Sequence, residues 1–538
     1  MKSSKTTETL KAVDLGLGSM DASEEEESDS SEEEEVDGGE HWMDSDSEKE
    51  AIQWPPTPPA YGYPDDGQRQ PFVLIDQFAY LADRDNATTA TTTAEFPAMG
   101  SILKGPIKVT FCPVAPPLVS YLCFHATDMD HTMFPVQPKI LTTETDGGLL
   151  VLRAVVGTHP SDSVLLSKRE YFVYDARAAK LHHLPHPGRQ HEFDEYTLAI
   201  VRNCSQHCKR TTTTHHDSGG LALRPCHAAL RHHGHGLGLG RHGHGQEHHH
   251  DCTYVVAAQA LEFGDPETSH LCLYHSDTKT WSKKPVVVNS YPPLHETSKT
   301  LNIGGDRGTV AWVDLWRGII FCDVLDEQPK LRCLELPKPI MPIKEIGCGD
   351  PRSVRDIAVV GNFIKFVDMH VHFDSYHKTS HHWKAVTWSV RTSSFSPTDW
   401  VMGHRIKSTR LRPQSALDKL MVDAGNGIKA PLPTLSTLHV GLPSLSLQDD
   451  DIVYFLAKID YRQSRHTAWV LALDMRNKTV KEVDLFDAKR TLGLGRGYEA
   501  SRISAYLKPA LDPMRIPKRS EMPLLKAPSK KRAGDDAM

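Results

Sequence analysis

Long apolar runs are missing from this chain of 538 residues. No run reaches the roughly 20 consecutive apolar residues that a membrane-spanning helix needs, and residues 1–20 hold no apolar core of signal-peptide length. We therefore expect an intracellular protein, in the nucleus, the cytoplasm or both, with no membrane partner. Cysteines stay reduced in such compartments, so we expect the ten irregularly spaced cysteines to form no disulfide framework.

Catalytic and nucleotide-binding motifs are also missing. The chain has no Gly-x-Ser-x-Gly nucleophile elbow and no P-loop. The glycine-rich run Gly493–Gly497 lacks the strand and the helix that a dinucleotide-binding fingerprint requires. These absences favour a protein that is not an enzyme and that needs no cofactor, and no feature of the sequence indicates a nucleic-acid partner.

The net charge of −8 is distributed unevenly. Residues 21–50 hold sixteen Asp and Glu against one Lys, a local charge of −15, which leaves +7 for the rest of the chain. A run this acidic repels itself and has little to bury, which is typical of disorder. Glu three positions after a serine is the pattern that acidophilic kinases recognise, and the candidate phosphorylation sites with this pattern are Ser23, Ser30, Ser31 and Ser45.

Composition divides the chain into one body, two tails and an insert. We predict a disordered acidic and proline-rich tail over residues 1–70, a β-rich domain over 71–507 and a disordered basic tail over 508–538. Within the domain, residues 204–252 hold twelve of the 31 His and many Gly, which is typical of a surface loop. We expect this segment to bind divalent metals weakly, and whether it is a true insert or a gene-model artefact stays open.

The basic tail carries two clusters of positive charge ten residues apart. This spacing is that of a bipartite nuclear import signal on an extended segment. The alternative is a tail that only improves solubility. The residues of the candidate signal are Lys518, Arg519, Lys530, Lys531 and Arg532.

Short strands separated by turns recur through the body, with no long stretch of helical periodicity. A weak repeat consists of an apolar strand, a polar turn that begins near Asp or Ser, and a second strand. It is the outer hairpin expected in each blade of a β-propeller, so we predict an all-β, propeller-like fold with an uncertain number of blades. Tandem β-sandwiches, which also use hairpins, are the alternative. The five hairpins are Tyr171–Asp175 with Lys180–Leu184, Leu271–Ser276 with Trp281–Ser282, Ile319–Asp323 with Leu331–Leu334, Val386–Val390 with Ser394–Trp400, and Trp469–Asp474 with Val480–Leu485.

Two histidines are the best local candidates for a metal site. His370 and His372 occupy alternate positions of a predicted strand and would therefore share a face. Asp374 and His377 lie nearby and could add ligands. The alternative, which we favour, is an exposed strand end whose histidines titrate without holding a metal.

One block of the body predicts its own local structure. Thr309–Val313 and Ile319–Val324 can pair as a hairpin, with Asp314 tying the turn through its side chain and Gly318 supplying backbone freedom. Trp312 would bury a large area. Further along, Arg352, Arg355 and Asp356 could pair with each other or with loop carbonyls. We assign all of these residues to structure rather than to chemistry.

The blocks Trp312–Val324 and Pro351–Val367 resemble a plant family named only as domain of unknown function 1618, which is expanded in grasses. The resemblance implies no reaction, cofactor or ligand, so it transfers no functional residue. We therefore expect an uncharacterised plant protein that acts as a non-catalytic protein-interaction module, with a metal-dependent enzyme on a propeller scaffold as the alternative. Further stretches extend the resemblance over Phe72–Leu507: Phe72–Asp76 with Tyr80–Ala90, Val119–His125, Asp449–Leu456 and Trp469–Asp474.

Overall fold

The structure is a computed structural model, and it describes residues 54–63, 69–98, 101–145, 147–160, 162–165, 167–203, 253–260, 269–287, 295–340, 349–373, 380–411, 421–423, 429–431, 438–459, 468–486 and 497–507. The regular elements of these segments are β-strands and short 3-10 turns. None of them contains a helix with the length and apolar character needed to cross a membrane. The predicted all-β class is confirmed.

The first sheet, blade 1, is built mainly from the N-terminal part of the described chain. Its strands β1 and β5 run parallel, β5 pairs antiparallel with β4, and β4 pairs antiparallel with β3. A short strand, β2, continues β1 and pairs with the end of β5. The strands are β1 (Val73–Asp76), β2 (Tyr80–Leu81), β3 (Ala90–Ala98), β4 (Ser101–Cys112) and β5 (Val119–Ala126).

Five further sheets each contain four antiparallel strands whose order in the sheet equals their order in the chain. We call them blades 2 to 6. Blade 2 contains β6 (Lys139–Thr143), β7 (Leu149–Val156), β8 (Lys168–Asp175) and β9 (Lys180–Leu184), and blade 3 contains β10 (Ala199–Asn203), β11 (Thr253–Gln259), β12 (His270–His275) and β13 (Thr280–Pro285). Blade 4 contains β14 (Lys299–Gly304), β15 (Thr309–Asp314), β16 (Gly318–Asp323) and β17 (Leu331–Glu335), and blade 5 contains β18 (Arg355–Val360), β19 (Phe363–Phe373), β20 (Ser380–Arg391) and β21 (Val401–Lys407). Blade 6 contains β24 (His439–Leu445), β25 (Ile452–Lys458), β26 (Ala468–Asp474) and β27 (Thr479–Phe486). A separate two-stranded sheet pairs β22 (Met421–Asp423) with β23 (Lys429–Pro431).

The last strand, β28 (Tyr498–Ser501), closes the ring. It pairs antiparallel with β1, so that Ser501 lies opposite Val73, and it takes the inner position of blade 1. The inner strands of successive blades contact one another from β6 through β10, β14, β18 and β24 to β28. The fold is a six-bladed β-propeller in which both ends of the domain share one blade, and the tandem-sandwich alternative is wrong.

The core lies between the blades rather than inside a single layer. Leu149 and Val151 of β7 pack against blade 3, whereas Leu150 and Leu152 of the same strand pack against blade 1. Because alternate side chains of a strand point to opposite faces, each blade buries both of its faces. This explains why the strands are continuous apolar runs, whereas a strand of a two-layer sandwich alternates inward apolar with outward polar residues.

The predicted outer hairpins are the third and fourth strands of blades 2 to 6. Three of their turns share one geometry, in which the last turn residue has a left-handed φ: Ala179 at 50°, Lys279 at 56° and Lys478 at 57°. The Asp that opens the turn accepts a backbone hydrogen bond in two of them, from Arg177 N–H to Asp175 (2.9 Å) and from Asn477 N–H to Asp474 (2.8 Å). This shared turn is the physical basis of the weak sequence repeat.

The second strand predicted for blade 5 was misplaced. Ser394–Trp400 forms the connection, and the outer strand β21 begins only at Val401. Pro397–Asp399 is a 3-10 turn, and proline has no backbone N–H with which to join the ladder.

A segment before residue 71 also belongs to the ordered body. The Tyr121 hydroxyl lies within hydrogen-bond distance of the carbonyl oxygens of Pro59 (3.1 Å) and Tyr61 (2.7 Å), and Arg84 donates to Pro59 O (2.9 Å). The rings of Tyr61 and Tyr121 meet edge to face. Backbone carbonyls of residues 54–63, which lie before the predicted boundary, thus accept hydrogen bonds from side chains of the body.

The block around Gly318 forms the predicted hairpin, but the role assigned to this glycine was wrong. Asp314 ties the turn as predicted, because its carboxylate accepts the Trp316 N–H at 2.8 Å. Gly318 has no left-handed φ; instead, an added Cβ would lie 2.9 Å from the carbonyl oxygen of Leu334 in the neighbouring strand. Glycine is needed for close approach between β16 and β17.

We expect Gly318→Ala to lower the free energy of unfolding by about 1–3 kcal/mol, because the new methyl group must push two paired backbones apart. Urea denaturation of the full chain measures the change. An unchanged midpoint would show that β17 shifts freely and that the close approach is not required.

Candidate functional site

A cavity of about 120 Å³ follows the axis of the propeller. Its wall comprises residues of the inner strands β6, β14, β18, β24 and β28, together with the 3-10 turns Glu195–Thr197 and Pro351–Ser353 that precede β10 and β18. A blade of four antiparallel strands ends on the side where it began, so all inner strands begin at one face. We call this the top face, and the adjoining part of the cavity its top end.

Charged side chains are concentrated at the top end. Five cations and three anions lie there, whereas Glu144 and Arg502 balance each other at the bottom end. The top end carries no excess of positive charge, because Arg352 is paired with Asp350 (2.7 Å) and Arg355 with Asp368 (2.9 Å), two carboxylates outside the lining. Its charged residues are Lys139, Arg153, Lys299, Arg352, Arg355, Glu195, Asp356 and Glu499.

Arg355 forms the most deeply buried ion pair of this wall. Its Nε–H donates to Asp368 at 2.9 Å, its Nη1 donates to the carbonyl oxygen of Leu315 at 2.8 Å, and both charged side chains are almost fully buried. Burial raises the pKa of Asp368 in spite of the neighbouring Arg355. The pair joins the first two strands of blade 5 to the turn after β15 in blade 4.

Asp356, which follows Arg355 in β18, connects blades 4, 5 and 6 at the top end of the cavity. It accepts a hydrogen bond from Lys299 of blade 4 at 2.7 Å and from the Leu445 N–H of blade 6 at 3.0 Å. Both are charge-assisted hydrogen bonds, which are stronger than neutral ones. Asp356 is thereby a fixed negative charge in the wall.

Glu499 is the third acid of the top end and faces several charged groups. Burial raises the pKa of its carboxyl, and the nearby Asp356 raises it further, whereas Lys299, Arg352 and Lys139 act in the opposite direction. Beside it, the hydroxyl of Tyr498 is buried in the described structure without a hydrogen-bond partner. The top end thus contains a carboxyl whose neutral form is favoured by its surroundings.

The rim of the cavity is formed by the 3-10 turn before β10. Glu195 accepts hydrogen bonds from Arg153 (2.7 Å) and from the Tyr171 hydroxyl (2.8 Å), which holds the turn against blade 2. The next residue, Tyr196, is 55% exposed, and the Lys139 ammonium lies 5.1 Å from the centre of its ring. The rim therefore presents an aromatic ring beside a positive charge.

The histidines proposed as metal ligands lie outside this cavity. His370 and His372 are in β19, opposite Lys384 and His382 of β20, on the part of the hairpin that extends beyond the first residue of β18. In the described segments of the chain, no group of three or more His, Cys, Asp or Glu is arranged to hold a metal ion. Asp374 and His377 fall outside those segments.

The other candidate sites from the sequence fall outside the described residues. These are the four serines of the acidic run, the His-rich segment 204–252 and the basic clusters at Lys518–Arg519 and Lys530–Arg532. They remain predictions from the sequence.

Residues 312–454 match the model of a family described as Protein of unknown function (DUF1618). The match shows that this part of the chain is similar to that family. The DUF1618 segment begins in β15 of blade 4, contains all of blade 5 and ends in β25 of blade 6. It includes both blocks on which the resemblance rested, and it contributes Arg352, Arg355 and Asp356 to the cavity.

A search of curated proteins finds no match. The solved structures that are similar to the chain have low sequence identity to it. The β-propeller domain of Myceliophteria thermophila Cps50 (Swd1) is 8% identical, with a TM-score of 0.24, over 64% of this chain and 88% of that one. A Penicillium chrysogenum alpha-L-arabinanase is 10% identical, with a TM-score of 0.23, over 44% of this chain and 63% of the other. The endosialidase of phage phi92 is 8% identical, with a TM-score of 0.24, over 74% and 64%.

Sequence reasoning noticed part of this site but did not recognise it as a site. It assigned Arg352, Arg355 and Asp356 to structure and passed over Lys139, Lys299 and Glu499. A signal was present, because each of these last three residues is the first or second residue of an inner strand. The first residues of inner strands line one wall only because these strands surround a common axis, which the sequence does not show.

Proposed function

We propose that the chain is a non-catalytic interaction module that binds a protein partner with its top face, around the mouth of the axial cavity. The observation that carries the proposal is the rim of the top end, where the exposed ring of Tyr196 lies beside the Lys139 ammonium. A rigid ring of blades that presents loops on one face is a common platform for binding.

Exposed apolar side chains on the same face support this proposal. Leu165 is 95% exposed and Val164 is 43% exposed, in the connection between β7 and β8. This connection lies on the top face because β7 pairs there with the start of β6, where Arg153 is opposite Lys139. Single exposed apolar residues are ordinary on protein surfaces, but apolar and aromatic anchors beside polar groups are the composition of protein interfaces.

The alternative function is a metal-dependent enzyme that uses His370 and His372. Metal analysis of full-length protein purified without a His-affinity column separates the two functions. Stoichiometric metal that is lost in the variant with both histidines changed to Ala would favour the enzyme.

The proposal also places the chain inside the cell, in the nucleus, the cytoplasm or both. Its support is the sequence alone, with the paired basic clusters that begin at Lys518 and Lys530 as the candidate import signal.

The double variant Leu165→Asp/Tyr196→Ser is expected to reduce capture of the protein partner at least tenfold, because it removes both anchors at a mouth that a partner would cover. Affinity capture from an extract of the source species, with quantitative mass spectrometry, measures the loss. The matched control is Val401→Asp, since Val401 is 65% exposed on the outer strand of blade 5, far from the axis. Equal capture by both variants would contradict binding through the top face.

A further inference from the structure

The guanidinium of Arg355 has an unused donor in the wall of the axial cavity. Its Nε is bonded to Asp368 and its Nη1 to Leu315, but its Nη2 is buried without a hydrogen-bond partner. The residue is 1% exposed and lines the cavity. A buried donor on a charged group is costly to leave unpaired, so a partner is expected from the cavity itself.

This donor is held in one orientation. The guanidinium carbon lies 4.8 Å from the ring centre of Trp316 and 5.7 Å from that of Phe366. Together with the two hydrogen bonds, these rings prevent Arg355 from turning toward another acceptor. A donor fixed before the ligand arrives loses little side-chain freedom on binding.

The surroundings of Arg355 favour a singly charged anion. The cations of the top end are balanced once Asp350 and Asp368 are counted with the acids of the lining. A phosphate dianion would be repelled by Asp356 more strongly than one carboxylate, which can accept a hydrogen bond from the unused donor of Arg355. The unused donor offers a single nitrogen, which suits one carboxylate oxygen.

We propose that the top end of the axial cavity is a subsite for one carboxylate side chain of an acidic protein segment, with Arg355 as the donor and Lys139 at the mouth. This inference rests on the proposed function and specifies the chemistry of the partner. Lys139 completes the subsite because it is the cation beside the exposed Tyr196, at the point where a segment would enter.

Glu499 makes binding depend on pH. It faces Lys139 of β6, Lys299 of β14, Arg352 of the turn before β18, and Asp356 of β18. Its pKa is raised above the ordinary value, so the carboxyl stays neutral to a higher pH than a free Glu. Once ionised, it repels the carboxylate of the ligand, so affinity falls as pH rises through this pKa.

The test uses full-length protein and fluorescence anisotropy with a fluorescein-labelled (Gly-Glu)4 peptide. The matched probes are (Gly-Gln)4, which lacks charge, and a (Gly-phosphoserine)4 peptide, which supplies phosphate instead. The matched variants are Lys139→Gln at the top end and Arg502→Gln at the bottom end, because each removes one positive charge from the same cavity. Tm values check that both variants fold.

The expected result is binding of (Gly-Glu)4 over (Gly-Gln)4, weakened about tenfold by Lys139→Gln and little changed by Arg502→Gln. Glu499→Gln, which mimics the neutral carboxyl, is expected to abolish the loss of affinity as pH rises. Equal binding of the uncharged probe, stronger binding of the phosphoserine probe, or equal effects of Lys139→Gln and Arg502→Gln would each overturn the subsite.

Failure of this inference and failure of the proposed function are distinguishable. If the peptide does not bind but partner capture still requires Leu165 and Tyr196, the top face is an interface and the carboxylate subsite is wrong. If the peptide binds as expected but the variant Leu165→Asp/Tyr196→Ser captures the partner as well as the unaltered chain does, the subsite stands and the proposed protein interface is wrong.

Discussion

Asp368→Leu is expected to lower the free energy of unfolding by about 3–5 kcal/mol. It leaves the guanidinium of Arg355 buried between two aromatic rings without its paired carboxylate. An arginine cannot escape this cost by losing its proton, because its pKa lies far above neutral. The reverse change, Arg355→Met, should cost less at mildly acidic pH, because the Asp368 carboxyl, whose pKa burial already raises, can take up a proton.

The sign of the pH effect in Arg355→Met follows from that direction. A carboxyl whose pKa is higher in the folded state than in the unfolded state stabilises the protein at low pH and loses this contribution as pH rises. The stability of Arg355→Met should therefore fall from acidic to neutral pH more steeply than that of the unaltered chain.

Thermal unfolding of full-length variants checks this prediction. The control is the double variant Arg355→Met/Asp368→Leu, which removes both charges and should be more stable than Asp368→Leu alone. If Asp368→Leu and the double variant unfold at the same temperature, the ion pair contributes to stability through the packing of its side chains and not through their charges.

Truncation after Gly497 is expected to abolish cooperative folding of the propeller. It removes the inner strand of blade 1, which pairs with β1 over four residues, and with it the buried side chains of Tyr498, Ile503 and Leu507. Burial of a large apolar side chain contributes about 1.5–3 kcal/mol. Three of them reach the lower end of the 5–15 kcal/mol that stabilises an ordinary domain.

The matched control is truncation after Leu507, which keeps β28 and the 3-10 turn Ile503–Tyr506. We expect this variant to unfold at nearly the same temperature as the full chain, since residues 508–538 are predicted to be a tail. Circular dichroism and limited proteolysis compare the two truncations. Equal stability of both would mean that the ring does not depend on closure by its last strand.

Local patterns identified most of the strands and the repeat. The outer hairpins could be found because their two strands are separated by only a few residues and their turns use the same backbone geometry, as at Ala179 and Lys478. The pattern was less reliable at Ser394–Trp400, where apolar and aromatic residues suggested a strand but Pro397 belongs to a turn. There the lack of a backbone donor outweighed side-chain character.

No local sequence pattern could predict blade 1. Its inner strand and its second strand lie more than 400 residues apart in the chain, and only the closed ring places Ser501 opposite Val73. The sequence spacing of about 50 to 100 residues between clear hairpins also left the number of blades uncertain, because it could not show that two chain ends build one blade.

The amino-acid sequence by itself determined an all-β body, its hairpin repeat and the DUF1618 blocks, because these depend on residues close together in the chain. Only the tertiary structure decided the six-bladed closure and the candidate site. Lys299 meets Asp356, and Arg355 meets Leu315, across distances of tens of residues. The reason is geometric: a strand pattern shows which residues alternate, but the ring alone determines which strands share the axis and which charges meet there.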